Sequence, residues 1–177
     1  MSTLSTIAPQ EATGRVAEIY DQVQKGFGRV PNALQLFSVS PHQLEMQWQH
    51  LGYYSQHPTL GYPLLATMRM LISLDGNCQY CVGANESGLI HRAGFTPEQT
   101  AATKKNPADA PLSEKEKAML LFVLKAMRDS NSIRREDLAS LRALGWTDQD
   151  LFDGLNHAAR HAAVDVLFNA FQVEQDF

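Results

Sequence analysis

The chain has 177 residues, 44% hydrophobic and 19% charged, with a formal net charge of −4 and two cysteines. Such a length and composition suit one soluble globular domain over residues 1–177, with residues 1–30 as an N-terminal arm and first helix. The acidic balance argues against nucleic-acid and anionic-membrane binding, Met1-Ser2-Thr3-Leu4 has no signal-peptide pattern, and no run reaches the roughly 20 apolar residues of a membrane span, so the cytoplasm is the expected compartment.

Ile7-Ala8-Pro9-Gln10 reads as an extended arm. A first helix is expected from Ala12 to Lys25, since Val16, Ile19, Tyr20 and Val23 recur at helical steps before Gly26 and Gly28. Arg29-Val30-Pro31-Asn32 is a turn, and Ala33 to Val39 a short helix. Ser40-Pro41 starts a helix reaching about Gln56 that buries Leu44, Trp48 and Leu51. Tyr62-Pro63 opens an apolar helix, and a helix carrying both cysteines follows, ending at Gly94.

Thr96 with Gln99 and Ser113 with Glu116 are capping boxes, and Thr147 to Asp150 is a third. Between the first two, Lys104 to Pro111 is a polar connector expected to be mobile. Helices are predicted from Ser113 through Met127, from Glu136 to Leu144, and from Thr147 toward Phe171. No useful length alternates with period two, so the fold class is all-α, with about eight helices.

Cys78 and Cys81 follow the break Asp75-Gly76-Asn77. Placed in the first turn of a new helix, their sulfurs share one face and can close a disulfide with little backbone movement. A helix N-terminus favours the thiolate, and Cys-x-x-Cys in a cysteine-poor chain is a redox signature. Two inert buried thiols, or half of a zinc site, are the alternatives. On the last helix, His157, His161 and Asp165 are spaced by four residues and line one face. An Asp orienting a His that faces a thiol would be a usable base; equally, these histidines can be satisfied within the core, with Arg160 covering surface. Glu86 and His91 lie beyond the cysteines on their own helix, where one of them would face solvent at a pocket mouth.

With Val30-Pro31-Asn32, Ser40-Pro41, Leu71-Ile72-Ser73, Asn77-Cys78-Gln79-Tyr80-Cys81-Val82, Leu112-Ser113-Glu114-Lys115-Glu116, Leu141-Arg142-Ala143-Leu144-Gly145-Trp146 and Val173-Glu174, the chain resembles the alkylhydroperoxidase D and carboxymuconolactone decarboxylase family, in its peroxidase-related branch. The resemblance implies a helical bundle that assembles into dimers, trimers or hexamers. It also implies reduction of hydroperoxides, with Cys81 attacking the peroxide and Cys78 closing the disulfide. Where the family carries a His four residues after the second cysteine and a Glu twelve before the first, this chain has Asn85 and Ala66. Asn cannot accept a proton at neutral pH, so Asn85 can only orient a water or donate to a sulfur.

The expected function is therefore a thiol-disulfide oxidoreductase acting on a hydroperoxide or a partner disulfide, re-reduced by a protein thiol. No flavin, haem or nucleotide motif is present, and no cofactor is expected. A metal-binding protein using both cysteines and a His, or a helical oligomer serving as a binding module, are the rival readings. The last helix is apolar nearly all round, through Leu151, Phe152, Leu155, Ala158, Ala162, Val164, Val166, Leu167 and Phe168, which predicts a homo-oligomer.

Overall fold

The computed structural model describes residues 2–177; Met1, the first residue of the expected arm, lies outside the described residues. Among those residues there are nine α-helices, three short 3-10 turns and no strand. The helices are α1 (Gly14–Phe27), α2 (Asn32–Phe37), α3 (Pro41–Ser55), α4 (Tyr62–Asp75), α5 (Gln79–His91), α6 (Pro97–Lys105), α7 (Glu114–Arg128), α8 (Arg135–Ala143) and α9 (Asp148–Ala170). Most predicted boundaries hold to within two residues, and the Lys104–Pro111 connector contains a 3-10 turn, Pro107–Asp109.

The chain divides into two compact units. The first takes residues up to His57 together with Leu167–Phe177. Its core is the predicted stripe of α1, Val16, Ile19, Tyr20 and Val23, joined by Val30, Leu34 and Leu44. Trp48 and Leu51 pack against that core but stay only partly buried, whereas Leu44 and Tyr54 are the buried residues of α3. The N-terminal arm is tied down by polar contacts: the Ile7 N–H donates to Ser38 Oγ at 2.8 Å, and the Tyr20 hydroxyl donates to the Ile7 carbonyl at 3.0 Å. The tail is held likewise, with the Asn32 N–H donating to Asp176 at 2.7 Å.

The second unit, Pro58–Val166, is built on α4. Leu64, Leu65, Ala66, Met68, Met70, Leu71 and Ile72 are all buried, so this helix is covered on nearly every side, chiefly by α5 and α7. All three predicted capping boxes form. Thr96 and Gln99 start α6, Ser113 and Glu116 start α7, and Thr147 accepts from the Asp150 N–H while Asp150 accepts from the Thr147 N–H at 2.8 Å. Close approach of α9 to α7 depends on Gly154, where a Cβ would stand 3.2 Å from the Met119 sulfur.

Candidate active site

The link between α4 and α5 places the cysteines. Helix α4 stops at Asp75, the Gly76 N–H closes back to the Ile72 carbonyl at 2.8 Å, and Asn77 takes a left-handed φ of 53°. Asn tolerates that region because its short polar side chain hydrogen-bonds locally. The Cys78 N–H then donates to the Ser73 carbonyl at 2.8 Å. Cys78 is thus the N-cap of α5 rather than a residue of its first turn, a shift of one position from expectation. Cys81 follows within that first turn. Both are free thiols, and their exposures of 1% and 3% put them inside the unit.

Asp165 of α9 reaches them. The Cys78 sulfur, the Cys81 sulfur and an Asp165 carboxylate oxygen all lie within 4.8 Å of one another. Ser73, at the end of α4, donates its hydroxyl to both Asp165 oxygens at 2.9 and 3.0 Å. Since that proton is committed, His161 Nε2, 2.9 Å from Ser73 Oγ, is the donor of its pair. His161 Nε2 is 3.7 Å from Asp165 Oδ1. The order differs from the expected one: the carboxylate faces the thiols, and the imidazole stands behind it across Ser73.

Charge follows from this packing. The neighbouring Cys81 sulfur lowers the Cys78 thiol below the ordinary value, against burial. The same contact raises Cys81, and burial and the Asp165 carboxylate push it higher still. Burial raises Asp165 above the ordinary carboxylate value, against hydrogen bonds from Cys81, Ser73 and Cys78 that pull it down.

Asn85, one turn beyond Cys81, is turned away from the sulfurs. Its amide donates to the Cys81 carbonyl at 2.8 Å, and its oxygen accepts from Arg69 Nε at 2.7 Å. Arg69 continues to His157, with Nη1 at 3.0 Å from Nε2. Of the candidate residues, then, Cys78, Cys81, Asp165 and His161 come together at one place, and Asn85 and His157 meet at Arg69. Glu86 is paired with Lys104 at 2.7 Å, and His91 is exposed at the end of α5. Two residues escaped the sequence reading, Ser73 and Arg69. Arg69 is the one charge within the apolar run from Leu64 to Leu74, and a charge in such a helix signals a buried polar partner.

No family model matches the chain, and no curated protein matches it. Solved structures do. The chain is similar to the alkylhydroperoxidase AhpD core of an uncharacterized peroxidase-related protein from Ralstonia eutropha, with a TM-score of 0.86 and 20% identity over 99% of this chain and 92% of that one. An uncharacterized peroxidase-related protein from a Silicibacter species gives a TM-score of 0.82 at 20% identity, covering 98% of this chain and 88% of that one. A protein of unknown function from Agrobacterium tumefaciens, described as a candidate antioxidant defence protein of the AhpD type, gives 0.64 at 15% identity, over 80% and 95% of the two chains. At these identities the likeness shows the fold: an all-helical bundle of the alkylhydroperoxidase-core type. No helix is long and apolar enough among the described residues to cross a membrane.

Proposed function

We propose that this chain is a thiol-disulfide oxidoreductase of the alkylhydroperoxidase family, cycling Cys78 and Cys81 between dithiol and disulfide at the expense of a hydroperoxide. The observation that carries the reading is the approach of both sulfurs and one carboxylate to within 4.8 Å, in a fold shared with peroxidase-related proteins. In the first step the Cys81 thiolate attacks the outer peroxide oxygen, a sulfur–oxygen bond forms and the oxygen–oxygen bond breaks. The alcohol leaves with a proton, and Cys81 becomes a sulfenic acid. Cys78 then attacks the Cys81 sulfur, closing the disulfide and releasing water. The protein has lost two electrons, and a partner dithiol protein returns them by thiol-disulfide exchange.

Cys78, burial and Asp165 all raise the Cys81 thiol, so an acceptor is needed before it attacks. Asp165 is the group that reaches both sulfurs, and it takes the role that the resemblance gives to a His after the second cysteine. Ser73 orients its carboxylate, and His161 stands next in line to exchange the proton. Intact mass and thiol titration before and after a hydroperoxide test the cycle. A loss of two hydrogens with both thiols consumed is expected, and Cys78→Ser should stop at a trapped sulfenic acid on Cys81. Two thiols surviving the treatment would overturn the reading.

The same three donor atoms favour one second reading, a metal site of Cys78, Cys81 and Asp165, with His161 adjacent. Two thiolates and harder donors in a small cluster suit zinc. Zinc that blocks both thiols from alkylation and remains bound in the presence of hydroperoxide would favour it over the redox cycle. The proposal includes a homo-oligomer in the cytoplasm, where thiols are kept reduced.

A further inference from the structure

Helices α4 and α5 run back along one another from the turn at Gly76, and their polar residues meet in register. The Cys78 N–H reaches the Ser73 carbonyl at 2.8 Å, and Arg69 Nε donates to Asn85 Oδ1 at 2.7 Å. Arg69 lies four residues before Ser73 on α4, and Asn85 four residues after Cys81 on α5. Each step is one turn, roughly 6 Å at 1.5 Å per residue. The Asn85 amide closes the link, donating from Nδ2 to the Cys81 carbonyl at 2.8 Å. A guanidinium is thus held one turn from the thiol pair by a side chain that also grips Cys81.

The surroundings of Arg69 satisfy its hydrogen bonds and leave its charge unbalanced. A second bond, from Nη1, goes to His157 Nε2 at 3.0 Å, and since a guanidinium only donates, that nitrogen accepts. Both acceptors, an amide oxygen and an imidazole nitrogen, are neutral. The nearby acids are engaged elsewhere: Asp165 by Ser73 and Glu86 by Lys104. Among the described residues Arg69 has no carboxylate partner. The Tyr62 ring, its centroid 5.9 Å from the guanidinium carbon, offers a π face and no charge. Burial pushes Arg69 down to about 10, so it stays charged at neutral pH, while an ionised Tyr62 or Cys81 pulls it up. A cation withdrawn from water is normally paired. The neighbour that becomes an anion in the proposed cycle is Cys81.

We propose that Arg69, fixed through Asn85, is the counter-charge of the Cys81 thiolate: as the thiol gives its proton to Asp165, the guanidinium balances the anion left on sulfur. This role rests on the thiol chemistry proposed above. Coupling between two charges is reciprocal, so the pull of an ionised Cys81 on Arg69 is equally a pull of Arg69 toward the ionised Cys81. It works against Cys78, burial and Asp165, which all raise the thiol. Position 85 then needs no group that takes up a proton, because Asn85 holds the cation in place. A merely structural arginine would use the same two bonds to tie α4 to α5 and α9, and its charge would not matter.

The test reads the charge apart from the bonds. Arg69→Gln keeps N–H donors without the charge, and Arg69→Lys keeps the charge without the fork. Both are made in the full chain carrying Cys78→Ser, where Cys81 is the single thiol, and its alkylation by iodoacetamide is followed at about pH 7.5. Arg69→Gln should slow alkylation about tenfold, the effect of a one-unit rise in the thiol, while Arg69→Lys should stay within about threefold. An unchanged rate in Arg69→Gln, or an Arg69→Lys as slow as Arg69→Gln, would overturn the proposal. Should Arg69→Gln not fold, anionic iodoacetate decides with Arg69 in place. Its rate relative to iodoacetamide should be higher at Cys81 than at Cys78 in the Cys81→Ser chain, since Cys78 lies further from Asn85; an equal or lower ratio would overturn the proposal. Cumene hydroperoxide, applied to the chain with both cysteines, separates this role from the cycle. Arg69-dependent alkylation with both thiols surviving the oxidant would uphold the counter-charge and sink the redox cycle. Thiols consumed equally fast in wild type and Arg69→Gln, with equal alkylation, would sink the counter-charge and leave the cycle standing.

Discussion

Asp165 stands where two demands oppose each other. Its negative charge helps to raise the Cys81 thiol, yet it is the acceptor that this thiol needs. Asp165→Asn separates the two effects. Removing the charge should lower the apparent thiol pKa, while loss of the acceptor should slow oxidation by hydroperoxide roughly 10²- to 10⁴-fold. A variant that is both more acidic and faster would rule Asp165 out as the base. Asp165 also makes stability depend on pH. Its folded value is raised above the ordinary 3.8 by burial, so the folded state holds this proton more tightly than the unfolded chain does. The resulting stabilisation is complete below about 3.9 and disappears as pH rises through the folded value. Chemical denaturation from pH 4 upward should show the wild type losing stability relative to Asp165→Asn over that window. Parallel curves would contradict the burial argument.

The α4–α5 hairpin holds both thiols, so its turn and its seam are where small changes should be felt most. Asn77 sits at a φ of 53°, a region that costs a β-branched residue about 1–2 kcal/mol and costs glycine nothing. Asn77→Val should therefore lower the melting temperature by several degrees, and Asn77→Gly should be neutral or slightly stabilising. Equal melting of the two variants would show that the turn is not strained. Gly88 is the counterpart at the other end, because a Cβ there meets the Tyr62 hydroxyl. Gly88→Ala should therefore displace the Tyr62 ring and lower the melting temperature by several degrees. An unchanged melting temperature would show that the ring moves aside without cost.

Helix α9 is the element on which the expectation of a homo-oligomer rests. Phe152 is 71% exposed and Val166 66% exposed on a helix that buries Asp165 and His157. Large apolar side chains left outward on such a helix are a cost in water that a second copy can remove. The chain should form a homo-oligomer at micromolar concentration by light scattering, and Phe152→Asp should shift it toward the monomer. A monomeric wild type would end this reading.

Punctuation and local spacing were legible from the residues alone. The capping pairs at Thr96, Ser113 and Thr147, the stripe of α1 and the Cys78–Cys81 spacing all express contacts within a few positions, where residue type and backbone geometry nearly determine the outcome. Spacing also put His157, His161 and Asp165 on one face of α9. What it did not supply was the direction of that face. A helix apolar nearly all round has no hydrophobic side to choose its rotation, so hydropathy could not say that Phe152 would point outward and Asp165 inward. That choice came from contacts across the fold: Ser73 with Asp165 and Arg69 with His157, at separations of 92 and 88 residues. Polar groups sealed inside a bundle must find partners, and those partners, far apart along the chain, decided which side of α9 became the site.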